Sequence, residues 1–208
     1  MSNFMGIPLL IAINPPKEVS KNIFKIRKLI FKKTGKILYG LNDPHITLFV
    51  NSFPNFSDVE KKVKSVVKKY KSFYAKIEGL YTFPFDPIHQ ANTIVYKIER
   101  TPTLAKLQKD IVMKLNPIRT NDQAKWLLKY NPNQSKNSLD NIKKYGYPIG
   151  LKDWIFHATI DSVKDKHYKI IWKQIQRYNL NKTWHVKNIS IFINLGDDGF
   201  KLFKKYKL

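Results

Sequence analysis

Two short stretches of this 208-residue chain carry the same side chains at the same spacing. They are His45-Ile46-Thr47-Leu48, within DPHITLFV, and His157-Ala158-Thr159-Ile160, within WIFHATI. On a strand, residues i and i+2 point the same way. Each stretch therefore sets an imidazole beside a hydroxyl on one face and sends its apolar residues to the other. Histidine titrates near pH 6.5, so one copy can take a proton while the other gives one. The two hydroxyls can donate to an oxygen on which negative charge builds up. Either histidine can be the base and the other the acid. The chain has five histidines, and two of them sharing His-apolar-Thr-apolar by accident is roughly a one-in-a-thousand event. The other three, His89, His167 and His185, lack the threonine and read as surface or structural residues.

The elements around these stretches must position them. IPLLIAINPP is expected to be a first strand ended by Pro15-Pro16, and no basic residue precedes it as a signal peptide would require. Apolar residues recur at helical spacing from Lys17 to Lys33, with Gly35 as the stop. In DPHITLFV, Ile46, Leu48 and Val50 alternate toward a core, leaving His45, Thr47 and Phe49 on the other face. Ser57 with Glu60 fits a capping box for a helix over about 58–71. FYAKIEGLYTF and NTIVYKIER read as strands around a loop with Pro84 and Pro87, and Thr101-Pro102 opens a helix to about Leu115. Residues 117–150 are rich in Asn, Lys, Pro and Gly, and read as an insertion without a core of its own, a mobile lid or rim. After it come the second motif strand, a helix in KHYKIIWKQIQRY, and two closing strands, WHVKNISIFINL and FKLFKKYKL, around GDDG.

Composition narrows the functional classes. Hydrophobic residues make up 43% and aromatics 13%, enough for a real core. Without cysteine there are no disulfides, thiolate metal sites or Cys nucleophile. No apolar run approaches a membrane span, and a soluble cytoplasmic protein is expected. The formal net charge is +23, and only four of the 38 basic residues are Arg. A field of that sign attracts polyanions or phosphorylated ligands.

The paired HITL and HATI motifs, with the order of elements around them, resemble the 2H phosphoesterases, the LigT-like or RNA 2′,5′-ligase-like superfamily. The resemblance covers nearly the whole chain. It implies an α+β, bilobal fold: two antiparallel sheets facing a central cleft, helices outside, related by a pseudo-twofold axis. An N-terminal lobe over about 1–116, an insertion over about 117–150 and a C-terminal lobe over about 151–208 would form one domain. It implies catalytic roles for His45, Thr47, His157 and Thr159, with no metal and no cofactor. The substrates it implies are 2′-linked or cyclic phosphodiesters of nucleotides or short RNA: 2′,5′-oligoadenylate, cyclic dinucleotides with a 2′,5′ bond such as 2′3′-cGAMP, or 2′,3′-cyclic phosphates. Such an enzyme would fit a viral protein degrading immune signalling nucleotides in the host cytoplasm, or an RNA-processing 2′,3′-cyclic phosphodiesterase or 2′,5′ RNA ligase. A non-catalytic RNA-binding module is the alternative from another class. Flat partners for the bases are sought in Phe83 and Phe85 of the proline loop and in Trp126, Tyr130, Tyr145 and Tyr147 of the insertion, chiefly Phe85, Trp126 and Tyr147. A monomer with no membrane partner is expected.

Overall fold

The computed structural model describes residues 6–86, 90–130, 135–196 and 199–208. His89 and the middle of GDDG lie outside them, as does the side chain of Tyr130. In chain order the elements are β1 (Ile7–Ile13), α1 (Lys17–Thr34), β2 (Ile46–Phe53), α2 (Phe56–Val67), β3 (Phe73–Asp86), β4 (Ala91–Ile98) and α3 (Pro102–Leu115). They continue with α4 (Asp122–Tyr130), α5 (Lys136–Tyr145), β5 (His157–Val163), α6 (Asp165–Ile175), β6 (Lys182–Val186), β7 (Asn188–Asn194) and β8 (Phe200–Lys207).

All strand pairs are antiparallel, in the order β6-β3-β4-β5-β2-β1-β7-β8. The two expected sheets are thus two four-stranded halves. They join along a thin seam, where β2 and β5 pair only at Ile46 and Ala158. These are the residues between histidine and threonine in the two motifs, so the seam between the halves runs through the motif pair itself. Helices α1 and α6 pack on β4 and β5, while α2 and α3 pack on β2 and β8. The core lies between these helices and the sheet.

The halves do not follow the chain as an N-terminal and a C-terminal lobe. WHVKNISIFINL is not one strand but two. It breaks at Lys187, so β6 pairs with β3 at one edge while β7 pairs with β1 and β8 in the other half. The apolar alternation changes phase at the break, from Trp184 and Val186 to Ile189, Ile191 and Ile193, with Lys187 and Asn188 between. Helix α2 starts earlier than the capping-box reading, because the Asn55 side chain, not Ser57, accepts from the Asp58 N–H. Glu60 instead accepts from Lys204 and the Tyr206 hydroxyl of β8.

Residues 117–150 are not a coreless loop. Helices α4 and α5 enclose Ala124, Leu127 and Ile142, with Trp126 packed against them. The carbonyls at the end of α5, which no helical N–H can reach, are taken by side chains from outside it. Arg119 donates to Lys143, Asn116 to Lys144 and Asn51 to Tyr145. The helix closes on Gly146 at φ 71°, where an added Cβ would meet the Asn51 amide at 2.5 Å.

Candidate active site

The motif strands share a local irregularity. Along β2, Ala12 of β1 faces Thr47 and Ile11 faces Phe49, so Leu48 is bulged out of register. Along β5, Val95 faces Thr159 and Ile94 faces Asp161, so Ile160 is bulged in the same way. An extra residue reverses the alternation. Phe49, expected beside His45 and Thr47, turns into the core at 5% exposure, and Val50 faces the cleft instead. On β5 the reversal turns Ser162 toward the cleft floor, where its hydroxyl meets Thr93 at 2.6 Å.

His45, Thr47, His157 and Thr159 all line one cleft of about 570 Å³. The His45 Nδ1 lies 2.7 Å from the Asp43 carbonyl, and the His157 Nδ1 lies 2.8 Å from the Ile155 carbonyl. A carbonyl can only accept, so each neutral ring carries its proton on Nδ1 and leaves Nε2 with a lone pair. The same i−2 contact on both strands gives two imidazoles of one tautomer.

Their electrostatic settings differ. Burial pushes His45 down to about 4; the Asp43 carbonyl and, more weakly, the Asp43 charge oppose this, and the charges of Arg27 and His157 add to it. Burial also lowers His157, but there the Ile155 carbonyl and the Asp86 carboxylate resist. The walls differ too. Beside His45 the lining is apolar, with Leu10, Val50 and Phe200; the ring centroid of Phe192 lies 5.4 Å from the imidazole. Beside His157 the Phe83 ring shares the wall with a polar chain: Asp86 accepts from Thr93 at 2.9 Å, Thr93 meets Ser162, and Ser162 bonds Tyr39. Burial, with Asp86 nearby, raises the Tyr147 hydroxyl to about 12 and the Tyr39 hydroxyl further, so both stay O–H donors.

A family model described as the 2′-5′ RNA ligase superfamily matches residues 15–198. The chain belongs to the 2′-5′ RNA ligase superfamily. Solved structures share its fold. The protein TT0787 of Thermus thermophilus is similar at TM-score 0.59 and 14% identity, over 97% of this chain and 98% of that one. E. coli LigT complexed with 3′-AMP is similar at TM-score 0.56 and 13% identity, over 98% of both chains. A phosphoesterase structure follows at TM-score 0.52 and 12% identity, again over 98% of both. No curated protein matches by sequence.

In this member of the 2′-5′ RNA ligase superfamily, the expected base-stacking residues divide. Trp126 and Tyr147 line the cleft, as do Phe83 and Trp154. Phe85 is 68% exposed and lies off the lining, because Phe83 takes the inward position, 5.0 Å from the His157 ring. Tyr145 packs against the core.

Sequence reasoning missed the residues that hold the motif strands. Arg27 is 3% exposed on α1. Its guanidinium donates to the carbonyls of Ile160 (2.8 Å), Thr159 (3.3 Å) and Asn42 (2.8 Å). It therefore ties the β5 bulge to the loop that delivers His45. Asp161, fully buried, accepts from the backbone N–H groups of Leu38, Tyr39 and Ser162. Arg100 holds the approach to His157 through the carbonyls of Trp154 and Leu151. With Arg119, three of the chain's four arginines clamp backbone carbonyls. A planar fork of five donors holds several carbonyls in a fixed geometry, which the rotating point charge of an ammonium does not impose. The scarcity of Arg among the basic residues was the available signal.

Proposed function

We propose that this protein is a phosphodiesterase that opens 2′,3′-cyclic phosphates or cleaves 2′-linked phosphodiesters of nucleotides or short RNA, with His45 as general base and His157 as general acid. The observation that carries the reading is the matched pair of imidazoles, each fixed by a backbone carbonyl at Nδ1 and lining one cleft. In hydrolysis of a cyclic phosphate, Nε2 of neutral His45 takes a proton from water as its oxygen bonds to phosphorus. Protonated His157 gives a proton to the ribose oxygen as its bond to phosphorus breaks. Thr47 and Thr159 donate to the non-bridging oxygens, where charge accumulates. The charge on Arg27 supports a neutral His45, and Asp86 supports a protonated His157.

Size supports a small substrate. A cleft of about 570 Å³ lies within the roughly 300–1,000 Å³ typical of small-ligand sites. The LigT structures solved with 3′-AMP, NADP+ and ATP hold ligands of that order.

The test is a substrate panel in EDTA: 2′,5′-oligoadenylate, its 3′,5′ isomer, 2′,3′-cyclic AMP, cyclic dinucleotides with and without a 2′,5′ bond, and RNA ending in a cyclic phosphate. Turnover of 2′-linked or cyclic substrates, with the 3′,5′ isomer spared, is expected. His45→Ala and His157→Ala should each lower turnover at least about 10²-fold, the scale of a lost acid or base. Inactivity on the whole panel, or full activity in either variant, would overturn the assignment.

A further inference from the structure

We propose that the open face of β4, β3 and β6 is a track for single-stranded RNA, binding the strand that continues beyond the phosphodiester held in the cleft. The proposal rests on the phosphodiesterase reading for what sits in the cleft. The track itself follows from strand register. In the half-sheet β6-β3-β4-β5, one face is covered by α1 and α6. The other face continues outward from His157. Lys97 of β4 lies opposite His157, and Val95 lies between Thr159 and Tyr81 of β3. Farther out, Tyr74 of β3 lies opposite His185 of β6.

The side chains along this path alternate between rings and cations. Phe83 lies 5.0 Å from His157 and 5.2 Å from Tyr81, and the Lys97 ammonium sits 5.9 Å over the Tyr81 ring. Lys76 shares the outward face of β3 with Tyr74. Tyr74 and His185 stack at 4.8 Å with planes 20° apart, and Tyr74 is 67% exposed. Two strand spacings separate β5 from β3, about 10 Å, and five residues along β3 add about 15 Å. A ligand confined to the cleft would leave that outer stack unused, whereas an extended strand leaving the cleft reaches it.

The chemistry selects unpaired nucleic acid. Flat exposed rings offer stacking to bases, which a duplex keeps for itself. Lysines beside them meet phosphates, and a chain of net charge +23 draws in a polyanion. An acidic peptide would use the lysines and waste the rings. Glu78, paired with Lys97 at 3.0 Å, opposes the strand.

The experiment compares a dinucleotide and a ten-nucleotide single strand, each ending in a 2′,3′-cyclic phosphate. The longer strand should show the lower KM. A variant carrying Tyr74→Ala with His185→Ala should raise the KM of the ten-mer about tenfold, the scale of one lost base stack, and leave kcat and the dinucleotide unchanged. Glu78→Gln should tighten binding of the ten-mer. Equal KM for both lengths in the unmodified protein, or an equal effect of the double variant on both, overturns the track and leaves the phosphodiesterase reading standing. If neither substrate turns over, the cyclic-phosphate branch of that reading has failed, and fluorescence anisotropy with a labelled ten-mer ending in a 3′-phosphate still decides. Binding that weakens about tenfold in the double variant and exceeds that of the same sequence as a duplex supports the track. Binding unaffected by the variant, or stronger for the duplex, overturns it.

Discussion

The two histidines have the same tautomer and different charged neighbours. That difference should be visible in the pH dependence of kcat/KM, which reports the groups of the free enzyme. His45 must be neutral to act as base. Burial, aided by the Arg27 and His157 charges, pushes it down to about 4, so rate should fall only as pH drops toward that value. His157 must be protonated to act as acid. Burial lowers it below its ordinary value, so rate should also fall as pH rises, and the optimum should lie on the acid side of neutrality. Asp86 holds His157 up. Asp86→Asn should therefore move the alkaline limb to lower pH and leave the acid limb in place. Movement of the acid limb instead would exchange the two roles. Thr47→Val and Thr159→Val should slow turnover less than loss of either imidazole, by at most about 10²–10³-fold, the scale of one oxyanion donor.

At the level of the elements, the site depends on two bulges and on the arginine behind one of them. Arg27 makes three carbonyl bonds that no smaller side chain can reproduce, and burial pulls its guanidinium down only to about 10, so it remains charged near neutrality. Arg27→Met should lower kcat about tenfold or more while the dinucleotide KM changes little. It should also raise the acid limb of the pH profile, because a positive neighbour of His45 is gone. A variant with lower kcat and an unmoved acid limb would reduce Arg27 to scaffolding. The histidine–threonine pairs were legible in the sequence because their chemistry is written in residue type and spacing. The bulges were not: Leu48 and Ile160 look like any strand residue, and only the register of β1 and β4 singles them out. The insertion misled for another reason. Among the described residues its helices gather a small cluster of Ala124, Leu127 and Ile142 with Trp126 alongside, too few apolar positions to stand out from a polar background. The order of strands was hidden because β6 and β7 are consecutive in sequence and lie in opposite halves of the sheet.

For the whole molecule the dominant property is charge, and the question is whether +23 acts as a contact surface or as a diffuse field. Lysines are spread over the outer turns of α1, the exposed side of α2 and the edge strand β8. Several are already engaged: Lys64 and Lys204 with Glu60, Lys106 with Asp110, Lys182 with Glu18. A scattered field speeds encounter and is screened by salt, but releases few counterions on binding. Counterion release counts only phosphates held in contact. The cleft holds one, and the track offers Lys76 and, once it exchanges Glu78 for phosphate, Lys97 for about two more. At about 0.7 per single-strand phosphate, the log–log slope of ten-mer affinity against salt should be near −2. The dinucleotide should give a slope of about −1 or shallower. Anisotropy titrations from low to moderate salt measure both. A slope equivalent to six or more phosphates would mean that the lysine-covered helix faces grip the strand directly, and the path of the RNA would then leave the sheet for the helical side of the molecule.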